Sequence, residues 1–321
     1  MKWLITGGAG FIGTNLIKAL RAKGESDIRV FDDLSVGSRE DLGSACSFED
    51  VAATDEFGGV QLVVGSIMDA PLMADAAKGA DVVVHLAANT GVGPSVEDPR
   101  SDCTTNVIGT LNALEAARHG AVKRFVFASS GAPVGECEPP IHEEKVPRPV
   151  SPYGASKLAG EGYCSAYFRT FGLETVGLRF GNVYGPGSTN KGSVVAKFIR
   201  LAREGKTLEI YGDGQQTRDF IYVEDLVGAI VQGASAEGAG GELFQIATNR
   251  ESTVSELVEL LVPLLDERGL GPVEVMHGEK RLGDVMRNFS DTTKAKEVLG
   301  WSSETELANG LRKTVDWFFS A

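Results

Sequence analysis

Trp3-Leu4-Ile5-Thr6 runs straight into Gly7-Gly8-Ala9-Gly10-Phe11-Ile12-Gly13, and a stretch of helical periodicity follows at once. A strand, a glycine turn and a helix in immediate succession leave the chain few options. Glycines at 7, 10 and 13 allow a tight turn, close approach to a pyrophosphate, and packing of helix on strand, while the helix N-terminus offers N–H donors to an anion. Glycine runs are common in a chain with 40 glycines, so the specificity comes from context. Asp32 closes the next apolar run, 19 residues after Gly13. There a carboxylate, with Asp33 beside it, would bond the hydroxyls of an adenosine ribose and repel a 2′-phosphate. The pattern implies NAD rather than NADP.

Short β-branched runs at 2–6, 28–32, 61–64, 81–85, 124–128 and 175–180 alternate with helical stretches at 11–23, 71–78, 100–118 and 153–171. That alternation predicts an α/β protein with a Rossmann-type, doubly wound parallel sheet. Residues 40–59 are polar and read as a surface excursion. Beyond Gly181 the pattern loosens, with helices predicted at 193–203, 223–234, 253–267 and 306–319. Thr253-x-x-Glu256 has capping-box spacing. We therefore expect an NAD-binding domain at 1–180 and a smaller, mixed α/β substrate-binding domain at 181–321, with some crossover of the chain between them.

The 31 Lys and Arg against 44 Asp and Glu give a net charge of −13, which argues against nucleic acid and anionic lipid as partners. No run approaches the roughly 18 apolar residues of a membrane span. Cys46, Cys103, Cys137 and Cys164 show neither disulfide-scaffold nor zinc-ligand spacing, so no metal is expected and a reducing cytoplasm fits best.

Tyr153 and Lys157 lie four apart on one face of a predicted helix. A phenol acting as base near pH 7 needs its pKa lowered by about 3 units, or ~4 kcal/mol, which one exposed ammonium cannot supply. A sheltered Lys157 beside an oxidised nicotinamide can. Ser129-Ser130 follow the fifth predicted strand at the carboxyl edge, where ligands of open α/β sheets bind, so a hydroxyl there could bridge a substrate alcohol and the tyrosine.

Taken in order, Thr6 to Gly13, Asp32-Asp33-Leu34, His85-Leu86-Ala87-Ala88, Asn106-Val107-x-Gly109-Thr110, Ser129-Ser130, Ser151-Pro152-Tyr153-Gly154-x-Ser156-Lys157 and Arg179-x-x-Asn182-Val183-Tyr184-Gly185-Pro186 resemble the extended short-chain dehydrogenase/reductases. Gly212-Asp213-Gly214-x-x-x-Arg218-Asp219-Phe220 and Arg281-x-Gly283-Asp284 carry the likeness to the nucleotide-sugar epimerase/dehydratase branch, typified by UDP-glucose 4-epimerase, over essentially the whole chain. The resemblance implies Tyr153 as catalytic base, Lys157 as its orienting partner and Ser130 as assistant. It implies NAD contacts from Gly7, Gly10, Phe11, Ile12, Gly13, Asp32, Asp33, Ser66, Ile67, Leu86, Ala87, Ala88, Asn106, Ser129, Tyr153 and Lys157. Contacts to the nucleotide sugar, a UDP-hexose, fall to Asn182, Val195, Arg218, Arg281 and Asp284. A homodimer through the helices at 100–118 and 153–171 is also implied.

Dehydratases of the branch carry an Asp-Glu pair after the serine, and decarboxylases often a Glu. Here Gly131 and Ala132 stand there, and neither transfers a proton. That leaves epimerisation at carbon 4 of a UDP-hexose or UDP-N-acetylhexosamine, with UDP-glucuronate epimerisation, a family dehydratase or reductase, or a catalytically silent NAD-binding regulator as alternatives. The chain departs from the branch at Pro133-Val134-Gly135 in place of Val-Tyr-Gly, at Ser66 for Asp, at Leu282 for Pro, and at Asn288, where strict glucose/galactose enzymes often carry Tyr. His85 reads as a packing residue.

Overall fold

A computed structural model describes residues 1–189, 192–279 and 286–320. Strand β1 (Trp3–Thr6) leads through the glycine turn into α1 (Phe11–Ala22) and β2 (Ile28–Asp32). Next come α2 (Arg39–Ala45), the two-residue β3 (Glu49–Asp50), β4 (Val60–Val64), α3 (Ala70–Ala77) and β5 (Val82–His85). Helices α4 (Val92–Glu97) and α5 (Pro99–Cys103) run through a π-helical turn (Thr104–Ile108) into α6 (Gly109–His119), followed by β6 (Arg124–Ser130), α7 (Pro152–Phe171) and β7 (Glu174–Phe180).

The second half opens with β8 (Asn182–Tyr184), α8 (Val194–Arg203), β9 (Leu208–Tyr211), β10 (Thr217–Arg218), β11 (Phe220–Tyr222) and α9 (Val223–Ser235). It closes with β12 (Glu242–Ile246), β13 (Ser252–Thr253), α10 (Val254–Asp266), β14 (Val275–Gly278), α11 (Thr293–Leu299) and α12 (Leu307–Ser320). The capping box at Thr253 and Glu256 is formed as expected.

Eight strands form one all-parallel sheet in the order β12-β7-β6-β5-β1-β2-β4-β3. Period-two alternation splits its side chains between two cores. Trp3, Ile5, Val30, Val84, Val126 and Leu178 pack on one face with Leu16, Ile17 and Leu20 of α1 and Leu226 and Ile230 of α9. Leu4, Phe31, Val63, Val83, Phe125 and Phe127 pack on the other with Met73 of α3 and Ala113 and Leu114 of α6. Burial on both faces explains the continuous apolar runs. The chain order reverses between β1 and β5, the switch point where ligands of such sheets bind.

Three local findings depart from the sequence-based expectations. The helix expected at 100–118 is broken by the π-helical turn, which places buried Asn106 inward. The excursion at 40–59 contains α2 and the edge strand β3. Strand β6 extends through Ser129 and Ser130, because β7 pairs with both of them. The sheet's last strand, β12, comes from beyond residue 180. A third core, with Phe198, Ile199, Leu257, Leu261, Leu311 and Phe318, supports the C-terminal lobe. Among the described residues no helix is long and apolar enough to cross a membrane.

Candidate active site at the carboxyl edge of the sheet

The turn after β1 shows how its glycines are used. Gly7 has φ +67°, and a Cβ there would lie 2.7 Å from Ala87 N, so exit of β5 against the loop requires glycine. Gly10 differs: a Cβ would meet only Gly7 O, at 3.3 Å. The protein's own packing scarcely demands glycine at 10, which is what a loop approached from outside by a diphosphate would show. Gly10 is also the N-cap of α1, and no side chain caps that helix, leaving its positive end to an anion.

Asp32 is buried at the end of β2, with 7% of its surface exposed. One carboxylate oxygen accepts from Ala9 N and the other from Leu34 N, both at 2.9 Å. Burial raises its pKa above the usual carboxylate range, the two N–H donors opposing that shift. A carboxylate has about four lone-pair sites, so two remain for ribose hydroxyls. Gly65 N bonds Asp32 O, which brings Ser66 beside it. Asp33 is exposed and bonds Ser35. The Ile67 side chain packs into the core and its carbonyl accepts from Asn112. The cradle thus fits an adenine dinucleotide.

Between β1 and β5 runs a buried relay. Thr110 Oγ1 donates to Asn106 O, so it accepts from His85 Nε2; His85 Nδ1 then accepts from Thr6 Oγ1, which in turn accepts from Ala87 N. Burial, reinforced by nearby Lys157, lowers the His85 pKa to about 3, so the ring is neutral. Sequence reasoning saw a packing residue in His85. Its two ring nitrogens in fact set the spacing of the glycine loop, Ala87 and Asn106. Asn106 accepts from Asn89 N and donates toward Asn89 O, Asp102 and Ser156 Oγ, locking the π turn against α7.

Ser151 caps α7 by accepting from Gly154 N, so Tyr153 sits in the first turn, partly exposed, and Lys157 one turn on, buried. Lys157 Nζ donates to Ala128 O at 2.9 Å and stands 5.0 Å from the centroid of the Phe127 ring. Burial lowers its pKa to about 8, while Asp102 favours the charged form. Tyr153 is pushed up to about 12 by burial, partly offset by its hydrogen bond with Ser130. Ser130 and Tyr153 thus meet at the carboxyl end of β6, where Lys157 holds Ala128 O, beside the exits of β5 and β1 where Leu86, Ala87, Ala88, Phe11 and Ile12 stay partly exposed.

Ser129 points elsewhere: its hydroxyl donates at 2.6 Å to Glu161, which is paired with Arg179. Sequence reasoning missed Glu161, although it continues the Tyr153–Lys157 stripe by another four residues. Pairing of Ser130 with Phe180 brings the C-terminal lobe to the site. Asn182 is exposed there, its N–H bonding Asp219 O, and β8 aligns it with Phe220, two residues from Arg218. Asp219, which the sequence offered only as part of a motif with no role, is buried and accepts from Thr248 N, Thr248 Oγ1 and Ser290 N, fixing that corner. The Val195 side chain lies in the C-terminal core, so a contact from it to substrate would use its main chain. Arg281 and Asp284 lie outside the described residues.

A model of the NAD dependent epimerase/dehydratase family matches residues 3–247. A UDP-glucose 4-epimerase of Mycolicibacterium smegmatis is 39% identical over 323 residues, covering 99% of this chain and 98% of that protein. The crystal structure of a UDP-glucose 4-epimerase with UDP-glucose from Thermotoga maritima superposes with a TM-score of 0.88 at 36% identity, over 100% of this chain and 99% of its own. A Thermus thermophilus UDP-glucose 4-epimerase in complex with NAD superposes with a TM-score of 0.86 at 33% identity, over 100% of each chain.

Proposed function

Since the chain belongs to the NAD-dependent epimerase/dehydratase family, we propose that it interconverts nucleotide-linked hexoses epimeric at carbon 4, UDP-glucose and UDP-galactose or the N-acetylhexosamine pair. NAD is its cofactor, held by the glycine loop, the α1 N-terminus and Asp32. The chemistry that bound NAD supplies is reversible hydride transfer at carbon 4, with a positive charge beside the phenol.

Tyr153 takes the proton of the carbon 4 hydroxyl, and Ser130, hydrogen-bonded to it, bridges to the sugar oxygen. Because burial holds the phenol at about 12, its ionisation needs positive charge close by. Lys157, titrating at about 8, still carries an ammonium at neutral pH one helical turn from Tyr153, and it would also hold the nicotinamide ribose. Asn182 and Arg218 anchor the nucleotide diphosphate through a planar guanidinium fork and an amide. Holding only the nucleotide leaves the hexose free to turn between oxidation and reduction, which inverts carbon 4.

One observation carries the choice of epimerisation: beside the assembled Ser130, Tyr153 and Lys157 stand Gly131 and Ala132, which offer no second acid or base. A Cβ at Gly131 would meet nothing within 4 Å, so packing does not forbid a carboxylate there. Incubation with UDP-glucose, UDP-N-acetylglucosamine and UDP-glucuronate, with products resolved by NMR, tests the reading. A 4-epimer is expected; a stable 4-keto-6-deoxy sugar would mean dehydration instead. Tyr153→Phe should keep NAD and lose about 10²–10⁴ in kcat, and near-normal turnover would refute the assignment.

The apolar side chains Val92, Val96, Ile108, Tyr163 and Phe171, exposed on α4, the π turn and α7, support pairing of two copies there. A monomer mass by light scattering at micromolar concentration would remove that part.

A further inference from the structure

Tyr153, Lys157 and Glu161 follow one another along α7 at four-residue steps, leaving one side of the helix about 6 Å apart along its axis. Glu161 is as buried as Lys157, with 3% and 4% of their surfaces exposed. Its carboxylate takes a two-pronged bond from Arg179 on β7, Nε to Oε1 and Nη2 to Oε2, each at 2.8 Å. Ser129 on β6 donates to the same Oε1. One carboxylate therefore ties the helix to two central strands, one turn from Lys157. Beside it, α7 comes so near β6 that a Cβ on Gly160 would lie 2.4 Å from the Phe127 ring.

Stability alone is a poor reason for this arrangement. Stripping water from both charges costs solvation that their attraction need not return, and a packed apolar pair of similar volume is often as stable. Nor is the pair fully satisfied, since Arg179 Nη1 has no hydrogen-bond partner among the described residues. What a fork of two parallel bonds gives, and an apolar contact does not, is direction. It fixes the roll of α7 about its own axis. A roll of about ten degrees would move a hydroxyl roughly 8 Å from that axis by ~1.4 Å, and a displacement of about 1 Å can cost ~100-fold in rate.

We propose that Glu161, clamped by Arg179 and Ser129, is a positioning residue that sets the roll of α7 and thereby holds the Tyr153 hydroxyl against Ser130, one helical turn from Lys157. It touches no reacting atom. The inference rests on Tyr153 being the base. Removing Glu161 alone would confuse geometry with charge, because Lys157 is surrounded by Asp102 from α5, Glu161 and Cys164 from α7 and His85 from β5. Removing both ions leaves the net charge unchanged.

The test is Glu161→Leu with Arg179→Met in the NAD-loaded protein. The double variant is expected to unfold cooperatively near the wild-type Tm and to keep KM for the nucleotide sugar within about threefold while kcat falls about thirtyfold. Independently of turnover, an ultraviolet titration of the NAD-loaded protein against the matching Tyr153→Phe protein isolates this phenol among six tyrosines, and its midpoint, which bound NAD and Lys157 hold below that of the NAD-free phenol, should rise by about one unit. A folded double variant with unchanged kcat and unchanged phenol midpoint overturns the proposal. Should the wild type act on no nucleotide sugar, the functional reading fails while the titration still judges the clamp. If the double variant does not fold, Ser129→Ala removes one strut alone: a fall in kcat at constant KM supports the clamp, and an unchanged kcat overturns it.

Discussion

Replacing Asp32 by alanine separates two roles that the sequence merges into one. A ribose ligand would matter only to the loaded protein, but the structure makes Asp32 a bracket for the cradle itself as well. Its oxygens accept from Ala9 N, in a fully buried residue, and from Leu34 N, in a partly buried one. Orphaning the buried Ala9 donor should cost about 2 kcal/mol, and the Leu34 donor, which water reaches, about 1. Against this stands the burial of the charge itself. Burial raises the folded-state pKa, so keeping the carboxylate ionised at neutral pH costs the folded state stability that its removal returns. By the same sign, this group favours the folded apoprotein as pH falls through its raised pKa toward about 4. The loss for Asp32→Ala is thus at most about 3 kcal/mol, or up to ~4 °C in Tm for a chain of this size. Thermal unfolding of the NAD-free protein measures it, with Asp33→Ala, exposed and bonded only locally to Ser35, as the neutral control. Separately, NAD affinity measured by calorimetry should drop about 100-fold while discrimination against NADP narrows. An NAD-free Asp32→Ala protein that melts with the wild type would refute the bracket and leave Asp32 a ligand alone.

Neutral His85, with its pKa lowered to about 3 by burial, contributes stability that is complete above pH ~6.5 and is lost as pH falls toward about 3; at pH 5 the loss is about 2 kcal/mol. Urea unfolding at pH 7 and pH 5 checks this, and a His85→Gln protein with the same pH dependence as wild type would rule it out. Gly7→Ala forces an L residue to φ +67° with its Cβ 2.7 Å from Ala87 N, an expected cost of about 2–4 kcal/mol together with loss of NAD; a chemical denaturation midpoint equal to wild type would count against the tight exit of β5. Arg218→Leu should raise KM for the nucleotide sugar about 10–100-fold with a smaller change in kcat, and steady-state kinetics showing the reverse would move Arg218 from anchoring to chemistry.

The parts legible in the sequence were those in which neighbours along the chain decide the outcome. The glycine turn, the acidic residue closing β2, the capping box that opens α10 and the four-residue step from Tyr153 to Lys157 are local patterns whose geometry follows from strand, turn and helix periodicity. The alternation of apolar runs with helical stretches likewise determined a parallel sheet covered on both faces. Tertiary structure decided what depends on residues far apart in number. It turned Ser129 toward Glu161 and left Ser130 to Tyr153. It gave His85 two hydroxyl partners, at Thr6 and Thr110, and it placed β12 beside β7 after an excursion of about sixty residues. None of these could be read ahead, because a buried polar group must find partners wherever the fold brings them, and only the packed chain shows which donor stands opposite which acceptor.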